Sequence, residues 1–511
     1  MAQISRRTFL KLAPVLPLLK VTWPQLAQTP EQALQAANAP NVLVLVFDTL
    51  SARHVSLYGY QRETTPNLAR FAERATVFHN HHAAANFTSP GTSSILTGTY
   101  PWSHRAFHLH GIVNDEYINR NVFTALPDYY HKIAYTHNLL VFSLLHQFRG
   151  SIDQLKKTRD LCLADNQLAD RLFYGDYSDA FWAEWLFLRG GATPPSSLFL
   201  SMFDRLRRFD TKRQVTEAYG DMFPRGIPNL HSLFFVLEDA IDWIKEQVLL
   251  TPQPFFSYFH LLPPHEPYTT RKDFVDIFAD GWQPPEKPIL FGSEGKPQRF
   301  LNRQRREYDE YLAYTDSEFG RLLDALEQSG VLDNTYLILT SDHGELFERG
   351  IRGHVTQTLY EPLLHVPLLI SRPGQKERVD VFERTSCVDL LPTIMKITGQ
   401  PVPDWTEGQV LPTFGDGDEE RNGRFLYALE AKSNPKQAPL QKATMAIVAD
   451  QYKLVRYFGY KPGQDLYEMY DLQTDPEEMN NIFETKSAIA NELKAQLAQK
   501  LEQVNRPFAA T

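Results

Sequence analysis

The stretch from Phe87 to Gly98 presents hydroxyl groups at the start of a short helix. Thr88 or Ser89 can serve as the N-cap of this helix. Pro90 suits its first turn and Gly98 suits its exit. Free backbone N–H groups and the positive end of the helix dipole would stabilise an oxyanion, or the alkoxide of Thr88, better than a loop would. Because such stretches are also ordinary helix starts, a nucleophile site and a purely structural helix both remain open at this point.

Two apolar runs that lead into acidic residues supply partners for this helix. Residues Asn41–Phe47 form a continuous run of β-branched and large apolar side chains, too short to span a membrane, and Asp48 follows it. Residues Tyr336–Ser341 repeat the pattern and lead into Asp342 and His343. Both runs are typical of buried parallel strands. Ligands bind beyond the carboxyl ends of such strands, so the three polar side chains should converge on one rim.

Two carboxylates, one imidazole and one threonine oxygen are suitable ligands for a metal ion. The candidate ligands are therefore Asp48, Thr88, Asp342 and His343. Calcium prefers shells made only of oxygen, whereas an imidazole favours manganese, zinc or magnesium. We therefore expect one divalent ion, and manganese, zinc or magnesium rather than calcium.

From about Pro40 to about Phe483, the sequence resembles the sulfatase family of the alkaline phosphatase superfamily. The matching segments occur in the family's order. They are Asp48-Thr49-Leu50, Gly59-Tyr60, Thr64-Thr65-Pro66-Asn67-Leu68, the helix stretch from Thr88 to Gly98, Pro264-His265-Glu266-Pro267-Tyr268, Ser341-Asp342-His343-Gly344-Glu345, Leu359-Tyr360-Glu361 and the tail segment Tyr467–Asn481. The resemblance implies a large, mostly parallel α/β sheet flanked by helices, with a smaller C-terminal α+β subdomain.

The sequence departs from that family at its most reactive position. Sulfatases that form formylglycine carry a Cys/Ser-x-Pro-x-Arg pattern; here Thr88 occupies the reactive position and Thr92 the arginine position. Thr88 cannot become formylglycine. Thr49 replaces the second Asp of the usual pair, and His343 takes the place of a late Asn or His ligand. The pattern is similar to the branch with lipoteichoic acid synthases and phosphoglycerol or phosphoethanolamine transferases, in which a metal-bound Thr is the nucleophile.

The resemblance also implies catalytic roles for histidines. His265 would be a substrate-side residue that binds the anion or protonates the leaving oxygen, and its neutral-range titration suits that work. His354, in a Gly353-His354 pair that also resembles the threonine branch, should lie near the site on the loop after the Asp342 strand. His260 could support the site or be an ordinary buried histidine.

The N-terminal segment predicts export. Ser5-Arg6-Arg7-Thr8-Phe9-Leu10-Lys11 resembles a twin-arginine motif, and we interpret residues 1–39 as leader and linker. The following apolar stretch is broken by Pro14, Pro17 and Lys20, so it does not predict a transmembrane helix. We expect a periplasmic or extracellular protein that engages the twin-arginine export machinery. A cytoplasmic protein with a basic tail is the lesser alternative.

Length and composition limit the remaining possibilities. The chain has 511 residues, of which 43% are hydrophobic and 22% charged, as in ordinary globular proteins. Its net charge of −9 disfavours nucleic acid as a partner. We predict a catalytic domain over residues 40–400 and a C-terminal subdomain over residues 401–511. An aromatic-rich, mostly helical insertion at about residues 109–250 would form either a lid or lipid-facing wall over the site, or a cover packed on the sheet.

The predicted function is that of an exported, metal-dependent enzyme that cleaves or transfers a phosphate group, diester or monoester, through Thr88. Its substrate would be an anionic ester, and lipid-linked and glycan-linked esters both stay open. One alternative is a sulfatase that uses an unmodified hydroxyl. The other is a non-catalytic binding protein on the same fold, which is disfavoured because Asp48, Thr88, Asp342 and His343 are all present.

Overall fold

The computed structural model describes residues 35–164, 183, 198–230, 233–415 and 424–509. The chain divides into two units between Ala39 and Pro40, and every element given below belongs to the second, Pro40–Thr511. The predicted twin-arginine motif and the most aromatic part of the predicted insertion lie outside the described residues. Among the described residues, no helix combines the length and the apolar character that crossing a membrane requires.

Two neighbouring central strands carry the predicted acidic residues. Strand β1 covers Asn41–Phe47 and strand β8 covers Thr335–Thr340. The two strands pair in parallel, with Val46 opposite Thr340, so the chain leaves both at the same edge of the sheet. Their apolar runs form strands because both faces of a parallel sheet are covered and every β1 side chain is buried.

The main sheet has eight strands in the order β12-β2-β11-β8-β1-β7-β3-β4. Their remaining bounds are β2 Thr76–His82, β3 His131–Thr136, β4 Gln154–Leu155, β7 Phe255–Leu261, β11 Leu368–Ser371 and β12 Val379–Ser386. Only β11 runs antiparallel to its neighbours, β2 and β8. The predicted mostly parallel sheet is therefore confirmed.

The C-terminal part forms its own antiparallel sheet, in the order β13-β14-β15-β16. These strands are β13 Leu426–Glu430, β14 Ala443–Ala449, β15 Tyr452–Lys461 and β16 Gln464–Asp471. The remaining described strands form two short antiparallel pairs. Strand β5 (Asn229–Leu230) pairs with β6 (Leu233–Phe234), and β9 (Phe347–Glu348) pairs with β10 (Ile351–Arg352). The predicted small α+β part is confirmed as a fold feature.

Helices cover the main sheet and close the C-terminal part. They are α1 Pro66–Ala72, α2 Thr88–Thr97, α3 Pro101–His104, α4 Val122–Ala125, α5 Leu139–Gln147, α6 Leu198–Tyr219, α7 Leu237–Leu250, α8 Gln298–Ser329, α9 Glu361–Leu364, α10 Leu390–Ile397 and α11 Ser487–Asn505. The longest, α8, buries an apolar stripe against the core, in which Tyr308, Leu312 and Phe319 take part.

The described part of the predicted insertion at about residues 109–250 contains strands as well as the expected helices. Strands β3 and β4 fall within this range, and β3 pairs in parallel with β7 of the main sheet. Helix α7 packs on α8 through buried residues such as Ile241 and Ile244. Much of this range therefore completes the sheet and its cover, because its apolar residues belong to the main core. The predicted domain boundaries remain predictions.

A buried ion cluster ties the C-terminal sheet to the main domain. Lys453 on β15 places its Nζ 2.9 Å from Glu361 Oε1 and 2.8 Å from Glu478 Oε1, and all three side chains are buried. The Glu361 backbone N–H also donates to Glu478 Oε2 at 2.8 Å. Burial alone would raise the pKa of Glu361, but Lys453 and His82 hold it well below its usual value. Glu361 and Glu478, both in family-like segments, therefore fix structure.

We expect Lys453→Met to lower the free energy of unfolding by about 3–5 kcal/mol, because it leaves two buried carboxylates without their cation. Urea unfolding followed by circular dichroism measures this change. Lys376→Met is the matched control on an exposed lysine, with an expected change within about 0.5 kcal/mol. A loss below about 1 kcal/mol in Lys453→Met would show that the cluster does not hold the two parts together.

Candidate active site

Helix α2 presents Thr88 differently from the expectation that Thr88 or Ser89 caps it. The N-cap is Phe87, whose backbone is extended, and Thr88 is the first helical residue. The prediction of a side-chain cap was wrong because the β-conformation required of a cap falls one residue earlier. Gly98 closes the helix in the left-handed conformation, as predicted. The Thr88 hydroxyl is thus free of capping and lies at the dipole's positive end.

Gly91 brings α2 close to the Asp342 segment. A Cβ atom at position 91 would lie 2.4 Å from the Asp342 carbonyl oxygen, a distance that no side chain tolerates. On the same helix, the Thr92 hydroxyl donates to Asp342 Oδ2 at 3.3 Å. The small residue and the hydroxyl therefore seat the helix directly on the rim of strands β1 and β8.

Asp48, Asp342 and His343 come together as the sequence predicted. Their ligand atoms all lie within 4.8 Å of one another, and all three side chains are buried. His343 Nε2 is 3.6 Å from Asp48 Oδ1, 3.5 Å from Asp342 Oδ2 and 3.3 Å from Thr88 Oγ1. Its Nδ1 lies 3.0 Å from the Gly344 carbonyl, to which the Nδ1–H donates, and this leaves the Nε2 lone pair facing the cluster.

The two carboxylates are electrostatically unequal. Burial alone would raise the pKa of Asp48, but the charge of His265 and the hydrogen bond and charge of His260 bring it well below its usual value. Burial and the neighbouring Asp48 charge raise the pKa of Asp342 well above its usual value. Burial also lowers the pKa of His343 well below 6.5, so its ring is neutral. The cluster thus concentrates negative charge around a neutral imidazole.

Asn138 is a site residue that the sequence did not indicate. It caps helix α5, and its Nδ2 donates to Asp48 Oδ2 at 2.6 Å. His260 Nε2 lies 3.3 Å from the same oxygen, which resolves its two possible roles in favour of contact with the site. Asn138 follows strand β3 within a range that lacks family-like motifs. Only its position after a strand, beside a helix start, could have drawn attention to it.

His265 and His354 face each other above the cluster. Their ring centroids are 4.9 Å apart, and the rings of His354 and His343 are 4.6 Å apart. His265 Nδ1 lies 2.7 Å from the Glu266 carbonyl oxygen. His354 Nδ1 lies 3.1 Å from Glu345 Oε1; burial alone would lower the pKa of His354, but this carboxylate raises it. Each ring therefore has its Nε2 left for a ligand.

A cavity of about 390 Å³ opens on these side chains. Thr88, Asn138, His265 and His354 line it together with His110, Asn229 and Glu266. Its apolar walls are formed by Phe87, Leu109, Leu140, Leu230, Pro267 and Val355. None of the described lining residues is a lysine or an arginine. The cavity therefore offers a mostly apolar compartment with a few polar groups at its floor.

The cluster has the properties of a metal site. Asp48 Oδ1 is buried and has no hydrogen-bond partner among the described residues. That orphaned oxygen, a second carboxylate and an imidazole nitrogen fit a divalent cation, which would relieve the repulsion between Asp48 and Asp342. Thr49, in place of a second aspartate, has a buried hydroxyl oxygen without a partner among the described residues and a positive φ of 61°.

An eight-stranded sheet with polar side chains at the ends of its central strands defines an α/β enzyme of the alkaline phosphatase-like class. The model of the Sulfatase family matches residues 40–400. A second family model, described as N-sulphoglucosamine sulphohydrolase, C-terminal, matches residues 354–507. The chain therefore belongs to the Sulfatase family, and it is a sulfatase-family hydrolase. This confirms the predicted family; the threonine branch remains a prediction.

Similarity to individual proteins extends over most of the chain. The ulvan-active sulfatase of Formosa agariphila is 24% identical over 496 residues, which cover 92% of this chain and 82% of that protein. The choline-sulfatase of Rhizobium meliloti is 26% identical over 472 residues, 87% and 82% of the two chains. The phosphonate monoester hydrolase of Agrobacterium radiobacter has a similar fold, with a TM-score of 0.63, 20% identity, and coverage of 91% of this chain and 96% of that one.

We expect Asp342→Asn to reduce both the bound divalent metal and turnover by at least about tenfold, because it removes one anionic ligand and leaves the shape unchanged. Elemental analysis of the purified protein measures metal per chain, and circular dichroism checks that the variant is folded. Asp333→Asn, at an exposed carboxylate, is the control with unchanged metal content. A folded Asp342→Asn variant with full metal would remove Asp342 from the shell.

Proposed function

We propose that this protein is an exported, metal-dependent hydrolase of phosphoric esters, chiefly diesters, that uses Thr88 as its nucleophile. The observation that carries the proposal is the position of the Thr88 hydroxyl. It lies at the start of α2, 3.3 Å from the unprotonated nitrogen of His343, and faces the cavity. No other hydroxyl among the described lining residues shares that position.

The metal would be held by Asp48, Thr88, Asp342 and His343. A bound divalent ion would supply the positive charge that stabilises the Thr88 alkoxide and the charge developing on a transferred phosphoryl group. Asn138 and His260 keep Asp48 oriented by contacts to its Oδ2. Manganese, zinc and magnesium suit this mixed set of oxygen and nitrogen donors better than calcium does.

The catalytic steps are assigned to side chains around the cavity. Thr88 Oγ1, having released its proton to solvent, forms a bond to phosphorus while the bond to the leaving oxygen breaks. His354, kept protonated by Glu345, donates its Nε2 proton to that oxygen. His265 and the first backbone N–H groups of α2 bind the phosphoryl oxygens. Water or an acceptor alcohol then attacks phosphorus and gives its proton to His354, and Thr88 leaves as the alkoxide.

The single hydroxyl of Thr88 favours phosphorus over sulfur, and the cavity lining favours a diester over a monoester. In formylglycine enzymes, a second hydroxyl on the nucleophile expels sulfate by breaking a C–O bond. Thr88 has one hydroxyl, so its adduct must be cleared by attack at the transferred centre, which suits a phosphoryl group. The apolar cavity walls and the lack of lysine or arginine among the described lining residues favour a singly charged diester over a doubly charged monoester.

A sulfatase with an unmodified hydroxyl is the second candidate. It is favoured by the names of two similar proteins, an ulvan-active sulfatase and a choline-sulfatase. A phosphonate monoester hydrolase with a similar fold supports the phosphorus ester of the first candidate. The two candidates differ in the ester that turns over fastest and share Thr88 as the residue that forms the covalent adduct.

We expect Thr88→Ser to retain part of the activity and Thr88→Ala to lose nearly all of it, because only serine keeps a hydroxyl near the same position. The measurement is kcat/KM for matched aryl phosphodiester, phosphomonoester and sulfate substrates. Mass spectrometry of the quenched Thr88 peptide tests for the adduct. An active Thr88→Ala variant would exclude the nucleophile, and fastest turnover of the sulfate would favour the second candidate.

We expect Glu345→Gln to move the alkaline limb of the kcat–pH profile to lower pH. The Glu345 charge raises the pKa of His354, so its removal lets His354 lose its proton at lower pH, and the acid form is lost earlier. Initial rates from pH 5 to 10, an interval chosen to bracket the ordinary histidine pKa of about 6.5, measure the limb. His354→Asn should abolish it. An unmoved limb in Glu345→Gln would assign the leaving-group proton to another residue.

Export is part of the proposal because of the paired arginines Arg6 and Arg7. Replacing both with lysine keeps the charge, yet we expect the protein to remain in the cytoplasm, since the twin-arginine route reads the arginine pair. Cell fractionation measures the distribution, and Lys20→Arg serves as the control for an unrelated basic residue. An unchanged periplasmic yield of the double variant would exclude this route.

A further inference from the structure

Helix α6 exposes an apolar stripe that the catalytic proposal does not use. Its members are Leu198, Phe199, Met202, Phe203, Leu206 and Phe209. Their exposed fractions run from 52% for Phe203 to 77% for Phe199. Spacings of three and four residues place them on one side of the helix. A continuous patch of large apolar side chains is unfavourable in water and marks a surface that meets a partner.

The opposite side of α6 faces the protein. Ser201 and Asp204 are buried, and Val215 is part of the main hydrophobic core. Asp204 also pairs with Arg208 at 2.8 Å. Because these residues fix the rotation of the helix, the apolar stripe points away from the core. The stripe is therefore accessible to a binding partner.

Basic side chains border the stripe. Between Leu198 and Val215 the helix carries five arginines and lysines against two aspartates, whereas the whole chain has a net charge of −9. Arg205 and Lys212, seven residues apart, lie along one edge of the stripe, and Arg207 lies along the other. Among the described residues, neither Arg205 nor Lys212 has an ion-pair partner. An apolar stripe with basic edges complements a surface that is apolar inside and anionic outside.

We propose that α6 docks this protein on an anionic lipid bilayer, with the apolar stripe in the boundary between acyl chains and head groups and with Arg205 and Lys212 on the lipid phosphates. Arginine and lysine bind such head groups, and the apolar residues leave water at the same time. Docking through this face does not require the catalytic residues. It is therefore independent of which ester the site cleaves.

A second copy of the chain fits the stripe less well. In a symmetric dimer each patch faces its own equivalent, so the basic edges of two α6 helices would meet. Like charges across an interface disfavour association. A bilayer that contains phosphatidylglycerol instead supplies the opposite charge along both edges.

Vesicle flotation of the full chain tests this proposal. We expect binding to phosphatidylglycerol vesicles, and at least about tenfold weaker binding to phosphatidylcholine vesicles. Leu206→Glu combined with Phe209→Glu should abolish binding, and Arg205→Glu combined with Lys212→Glu should weaken it about tenfold or more. All four side chains are exposed, so the variants should fold and should hydrolyse a soluble aryl ester at the unchanged rate.

Matched controls lie elsewhere on the surface. Ile289→Glu changes an apolar side chain that is 71% exposed, and Lys376→Glu changes an exposed lysine. Both should bind vesicles like the unaltered protein. Equal binding to both lipids, or binding that the α6 variants leave unchanged, would overturn the proposal. So would a dimer in solution that the α6 variants dissociate, which would assign the stripe to a second copy of this chain.

Discussion

The repulsion between Asp48 and Asp342 is the constraint on which the site depends. Both carboxylates are fully buried, and both follow adjacent parallel strands, so the sheet itself holds them together. Two like charges at low dielectric are costly, which is why burial and the Asp48 charge raise the pKa of Asp342, whereas neighbouring histidines lower that of Asp48. A proton or a cation must share the space between them. A rigid fold that retains such a pair is prepared to bind a positive charge.

Sequence was sufficient to predict the sheet and the residues at its rim. The apolar runs before Asp48 and Asp342 gave the right strands because parallel strands are buried on both faces and show little alternation. The predicted ligands also meet in space, since the register of β1 and β8 aligns their ends. An apolar run and the acidic residue after it are neighbours in the sequence, so a short stretch of sequence is enough to predict them.

What sequence could not predict depends on contacts between distant segments. Asn138 reaches Asp48 across 90 positions, and nothing in its neighbourhood distinguishes it from any other helix cap. Phe87 replaces Thr88 as the N-cap because the path of the chain into α2 decides where the helical backbone begins. The range 109–250 looked like a helical insertion, yet strand β3 lies in it, because an aromatic composition is compatible with both a sheet and its cover.

Several family-like segments fix the fold without touching the reacting groups. Tyr60 donates its hydroxyl to the buried Asp309, and the Asn67 backbone N–H donates to Asp316 at the start of α1. A buried carboxylate that loses its partner is strongly destabilising, so such residues mark the architecture more than the reaction. In our proposal the chemistry depends on few positions, Thr88 first among them. A change there can therefore redirect the reaction while the rest of the sequence still identifies the family.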